Sequence, residues 1–144
     1  MNYEKALNEI NNLAKTRSLQ KIVDYLHDNF NHYSWVGIYI VKGNDLILGP
    51  WKGLNATEHT KIPIGKGICG SAAATGKTEI IDDVCSDSRY LSCFLSTKSE
   101  IVVPIKKGYK VIGEIDIDSD KIAAFNKKDS LFLQKIADML SEHI

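Results

Sequence analysis

The chain has 144 residues, 44% of them hydrophobic and 25% charged, with 18 Lys+Arg set against 18 Asp+Glu. That length suits a single domain over residues 1–144, and the composition is that of an ordinary globule, which excludes disordered and fibrous classes. A formal charge of zero gives no basic field for nucleic acid or an anionic membrane, and the largest basic clusters are the pairs Lys106-Lys107 and Lys127-Lys128.

In chain order, Tyr3, Ala6, Leu7, Ile10, Leu13 and Ala14 recur at three- and four-residue steps and predict a first helix. After a break near Thr16, Arg17 and Ser18, the residues Leu19, Ile22, Val23, Leu26 and Phe30 predict a second. Strands follow at 35–41 and 46–48 around Gly43-Asn44, a hairpin signal. A short helix over 71–75 precedes a strand over 78–82. A second hairpin joins 101–105 to 110–118 through Lys107-Gly108. The last helix carries Phe132, Ile136, Met139 and Leu140, with Asn126 as its cap and Asp129 in the first turn, where negative charge is favoured. Helices at both ends of consecutive hairpins predict an α+β domain, an antiparallel sheet with helices packed mainly on one face.

The apolar runs at 35–41 and 101–105 fall far short of the roughly 20 residues of a membrane-spanning helix. Glu4, Lys5 and Glu9 stand where a signal peptide would need an apolar region. Three cysteines cannot all pair within one chain, so the expected setting is a reducing cytoplasm with free thiols.

Several segments carry candidate chemistry. Residues 70–78, GSAAATGKT, imitate a phosphate-binding loop, but one residue too many separates the glycines and the helix precedes the loop. Gly76 fits better as the residue that ends the helix in a left-handed conformation. On the strand 111–118, alternation places Val111, Gly113, Ile115 and Ile117 on one face and Glu114, Asp116 and Asp118 on the other. Alternation alone allows a solvated sheet face, but no Lys or Arg interleaves on the acidic face, so a partner strand, an ammonium group, a proton or a divalent cation is the other way to answer the carboxyls. Glu100, which opens the preceding strand, extends the cluster. Trp35 and Tyr39 share one face of the first strand, as core packing or as a wall for a small cationic or thioether ligand.

Of the cysteines, Cys69 lies near the start of the short helix, where the helix dipole would favour a thiolate. Cys93 lies in the polar loop SDSRYLSCFLSTKSE, a setting for thiol chemistry, and Cys85 is nearby. A zinc site of three cysteines and His59 lacks any Cys-x-x-Cys knuckle, and no metal is expected.

The strings YSWVGIYIV, IPIGKGICGSAAATGKT, SEIVVPI and VIGEIDIDSD together resemble free methionine-(R)-sulfoxide reductases, a branch of the GAF-domain family of oxidoreductases. The resemblance implies a GAF-like fold and a redox-active Cys93, seven residues before Glu100. Its thiolate would attack the sulfoxide sulfur of free methionine sulfoxide, leaving methionine and a cysteine sulfenic acid. A second thiol would then form a disulfide, opened by a thioredoxin-type reductant. By the same resemblance Glu100, Asp116 and Asp118 hold the substrate and help protonate its oxygen, and Trp35 and Tyr39 wall the pocket.

Two departures stand out. His59 occupies the position where family members commonly carry the resolving cysteine, and the family's GHIAC string reads RYLSC at 89–93, with Phe94 in place of an acidic residue. The resolving role therefore passes to Cys69, to Cys85 or to an external thiol. The leading expectation is a cytoplasmic homodimeric enzyme working through Cys93 and Cys69 with no bound cofactor. The alternative is a catalytically degenerate GAF module that binds a small amino-acid-like ligand.

Overall fold

The structure is a computed structural model that describes residues 2–91 and 95–144. Helices α1 (Tyr3–Ala14) and α2 (Leu19–Asn29) lead into strands β1 (Trp35–Lys42), β2 (Asp45–Gly53) and β3 (Lys61–Pro63). Helix α3 (Gly67–Thr75) and strand β4 (Glu79–Ile81) follow, then the hairpin β5 (Ser99–Lys107) and β6 (Lys110–Ser119), and α4 (Lys127–Leu140). The strands form one antiparallel sheet in the order β3-β2-β1-β6-β5-β4.

Helices α1, α2 and α4 start where the sequence provides a capping side chain, whereas α3 has none. The Asn2 side chain accepts from the amides of Glu4 and Lys5, and Ser18 accepts from Lys21. At α4, Asn126 and Asp129 form a reciprocal capping box. The apolar stripes of α1, α2 and α4 then pack onto one sheet face against Val36, Ile38, Ile101, Val103, Ile105, Ile115 and Ile117. Both hairpins turn where glycine signals them, with Gly43 at φ 62° and Gly108 at φ 60°.

The other sheet face is covered by α3, which has no apolar stripe because nearly all its surface is enclosed: Ile68, Cys69, Ala72 and Ala73 pack with Tyr39, Leu46, Ile62 and Val102. It runs longer than the sequence predicts, beginning at Gly67 (φ 70°) and ending, as expected, at Gly76 (φ 69°). A side chain at Gly70 would approach the Pro63 carbonyl to 2.7 Å, so close packing beneath β3 requires glycine there.

Two bulges alter the predicted alternation. Between the pairs Gly37↔Trp51 and Tyr39↔Leu48, β2 carries one extra residue at Gly49-Pro50, and the strand continues to Gly53, well past the predicted end at 48. Between Ile105↔Gly113 and Lys106↔Val111, β6 carries an extra residue, Ile112. Val111 therefore packs with the α3 cluster and not, as strict alternation had it, on the face of Ile115 and Ile117. Strand β3 had no sequence signal. Only three residues pair there, too few for a visible period.

Candidate active site

Beyond the bulge the period of two holds, and Glu114, Asp116 and Asp118 all point away from the three outer helices, toward α3. Register brings Glu100 of β5 directly opposite Asp118, with Val102 opposite Asp116. Helix α3 lays Cys69 over the same spot, its Sγ 3.9 Å from Glu100 Oε2. One ligand atom each from Cys69, Glu100 and Asp116 lies within 4.8 Å of the others. Tyr39, His59, Ile62, Ile68, Tyr90, Leu91 and Asp118 complete the lining of a cavity of about 20 Å³, room for one water-sized species. The Tyr39 hydroxyl donates to the His59 carbonyl at 2.8 Å, which ties the family-variant position to the pocket wall.

The electrostatics of this cluster are set by burial, with no lysine or arginine among the described lining residues. Cys69 is 7% exposed, and Glu100, Asp116 and Asp118 are 5% each. Burial first, then Asp116 and Asp118, push the Glu100 carboxyl well above its usual range. Burial and Asp116 do the same for Asp118 and for Glu114. Asp116 is also raised by burial, against the pull of Glu100 and Cys69. Glu100, Asp116 and Asp118 influence one another strongly enough that their titrations belong to the set and not to any one of them. The expectation of a Cys69 thiolate is overturned: burial, then Asp116, Glu114, Glu100 and Asp118, push its thiol well above the ordinary value. A helix dipole of about half a charge does not outweigh that desolvation and four nearby carboxyls.

Glu114 is the residue to which sequence reasoning gave no role beyond a place on the acidic face. It is 0% exposed, between Tyr39 and Pro104 in register, and neither carboxyl oxygen has a hydrogen-bond partner among the described residues. The same holds for Asp116 Oδ1 and Asp118 Oδ1.

Trp35 and Tyr39 share a face but serve different spaces. Tyr39 lines the carboxyl cavity, whereas Trp35 lines an adjoining hollow of about 480 Å³ with His27, Gly53, Leu54, Thr97 and Asp118. The indole lies flat across the sheet because Gly37 and Gly53 carry no side chain, and a Cβ at either would come within 2.3 Å of it. Trp51 stacks beside it at 6.2 Å between centroids. Asp118 is common to both spaces.

Cys93 and Phe94 lie outside the described residues. The chain leading to them is anchored by Arg89, whose guanidinium makes paired bonds to Glu79 on β4 (2.9 and 3.0 Å) and reaches Asp87 (2.8 and 3.0 Å). Next to it, Leu91 packs over Gly67, where a Cβ would come within 2.8 Å of the leucine. The sequence held no signal for this clamp, because its three members are spread over eleven residues that run from β4 through a 3₁₀ turn into the following loop. Cys85 is an exposed thiol in the single 3₁₀ turn Val84–Ser86 and does not line the cavity; no disulfide joins it to Cys69. The imagined zinc set of three cysteines and His59 is not brought together among the described residues: of its described members, only Cys69 and His59 meet at the cavity.

A six-stranded antiparallel sheet with three helices on one face and α3 over a buried acidic cavity on the other accords with the GAF domain family, to which the chain belongs: the family model matches residues 16–144. Comparison narrows this further. The structure of type II free methionine-R-sulfoxide reductase from Thermoplasma acidophilum superimposes with a TM-score of 0.85 at 40% identity, covering 93% of this chain and 94% of that one. Free methionine-R-sulfoxide reductase from Neisseria meningitidis, in complex with its substrate, gives 0.91 at 33% identity over 98% and 87%. The Escherichia coli protein of the same name is 32% identical over 130 residues, 90% of this chain and 74% of that one. Within the GAF domain family, the chain belongs to the free methionine-R-sulfoxide reductases.

Proposed function

We infer that the protein reduces free methionine-R-sulfoxide to methionine, with Cys93 as nucleophile. One observation carries the reading: in a chain of this reductase family, Glu100, Asp116 and Asp118 converge, buried and with no lysine or arginine among the described lining residues, on the cavity that also holds Cys69. An ammonium group supplies the cation such a cluster lacks, and a protonated carboxyl supplies the hydrogen that the sulfoxide oxygen needs. The hollow beside Trp35 and Asp118 has the volume for a free amino acid, which the carboxyl cavity alone does not.

In the first step the Cys93 thiolate attacks the sulfoxide sulfur. The oxygen leaves that sulfur for the cysteine, so methionine is released and Cys93 becomes a sulfenic acid. In the second step a thiol sulfur attacks the sulfenic sulfur, an S–S bond forms, the S–O bond breaks, and water departs. Cys69 is our choice for that thiol, because it already lies in the cavity whereas Cys85 lies outside it. A thioredoxin-type dithiol then reopens the disulfide. This cycle needs a reducing compartment such as the cytoplasm, and we take the working form to be a homodimer without a bound cofactor.

The test is methionine release from the R epimer with a thioredoxin system, with the S epimer as control. R-selective turnover that Cys93→Ser abolishes is expected. Cys69→Ser should release about one methionine per chain and then stall until a small thiol is added. Absence of turnover with both thioredoxin and dithiothreitol would refute the reading and leave a binding module for a small amino-acid-like ligand.

A further inference from the structure

The cavity has the chemistry of a second kind of ligand. Cys69 Sγ and one oxygen each from Glu100 and Asp116 already lie within 4.8 Å of one another, so contraction by about an ångström would bring them to the spacing of ligands around one small ion. The space between them, about 20 Å³, suits a single ion or water and nothing larger. A crowd of carboxyls alone would not point to a metal. Here, however, Asp116 and Asp118 line the cavity, and the Oδ1 atom of each is buried and without a hydrogen-bond partner among the described residues. Orphaned buried acceptors are costly and need a proton donor or a cation. His59 lines the same cavity.

We propose that Cys69, Glu100 and Asp116 form a binding site for one divalent cation of the zinc class, which competes with substrate for the same oxygens. The donor set selects the metal. A single sulfur with two or three oxygens in a cavity of this size fits a four-coordinate borderline ion. Calcium takes six to eight oxygens, and magnesium keeps most of its waters, so neither suits the space. Binding displaces the thiol and carboxyl protons, and the bound ion withholds Cys69 from any disulfide while it remains. The site thus couples thiol availability to free metal.

The experiment is a cobalt(II) titration of the reduced, chelator-stripped full chain, with cobalt as the spectroscopic stand-in for zinc. One ion per chain with a near-ultraviolet thiolate-to-cobalt band is expected, and zinc should displace it. Cys69→Ser should abolish the band, Asp116→Asn should weaken binding by about tenfold or more, and Cys85→Ser should change neither. Circular dichroism of each variant separates loss of site from loss of fold. No band in the wild type, or a band that survives Cys69→Ser, overturns the proposal. The readout does not depend on turnover: an R-selective enzyme with no band sinks the metal site alone, and a Cys69-dependent band without turnover sinks the reductase reading alone.

Discussion

Glu114 is a fully buried acid inside the sheet: neither carboxyl oxygen has a hydrogen-bond partner of good geometry among the described residues, and the nearby Cys69 thiol offsets only part of what burial and Asp116 impose on it. Glu114→Leu, close in size and without a polar group, should raise unfolding free energy by about 1–3 kcal/mol, read by urea titration. An unchanged or lower midpoint would mean that the carboxyl has a stabilising partner. Asp129 is the opposite case. It is equally buried, yet its oxygens accept from the Tyr33 hydroxyl (2.7 Å), the Tyr3 hydroxyl (3.1 Å), the His32 ring (2.9 Å) and the Asn126 amide (3.0 Å). Burial alone would raise its pKa, but the bonds from His32, Asn126 and Tyr33 outweigh it and hold the carboxyl below its usual value. In return, burial and the Asp129 charge lift the Tyr3 hydroxyl to about 12. A depressed folded value means the stabilisation is complete above the unfolded carboxyl pKa, about 3.9, and is lost as pH falls through the folded one. Asp129→Ala should therefore cost about 2–3 kcal/mol at neutral pH and flatten the acid limb of the melting curve.

At the scale of elements, the site depends on how α3 and the segment after β4 are held. Helix α3 contributes small residues so that its backbone can lie close to β5 and β6, and Gly70 allows the contact beneath Pro63. Gly70→Ala should force the helix away from β3 and lower the melting temperature. An unchanged melting curve would show that the Pro63–Gly65 turn yields instead. The Arg89 clamp fixes the chain between β4 and β5 through planar, paired contacts that lysine cannot reproduce. Arg89→Lys should speed hydrogen exchange at the amides of Cys85, Arg89 and Tyr90 while leaving β6 protected. Uniform exchange in both segments would assign the clamp no local role.

Over the whole molecule, one sheet divides the two tasks. The face packed by α1, α2 and α4 supplies the main apolar core, whereas the α3 face gives part of its area to acids and a thiol. The three outer helices therefore support the carboxyl cluster from the opposite face, α2 reaching the hollow beside Trp35 through His27, and the Tyr3, Tyr33 and His32 bonds to Asp129 tie α1, the lead-in to β1 and α4 together behind it. No helix of the described chain is long and apolar enough to cross a membrane. The R-epimer assay tests this division: substitutions in the helical face should lower stability with turnover per folded molecule unchanged, whereas Asp116→Asn and Asp118→Asn should raise KM for the sulfoxide.

The sequence by itself determined helices α1, α2 and α4, the Asn126 cap, both hairpin turns and the acidic face of β6. Each rests on a local period or a local backbone requirement that a few neighbouring residues state completely. Its strings also named the family. Tertiary structure decided what no local rule contains. Register set Glu100 against Asp118, and bulges at Gly49-Pro50 and Ile112 reset which residues face the site. The packing of α3 turned Cys69 from an expected thiolate into a buried thiol, because burial, and then four carboxyls 31 to 49 residues away in the chain, hold its proton. Trp35 and Tyr39 were legible as one wall and proved to line two spaces, since the glycines that let the indole lie flat sit on two strands. Local chemistry writes elements; desolvation and charge at a site follow from which elements meet, and that is fixed only by the fold.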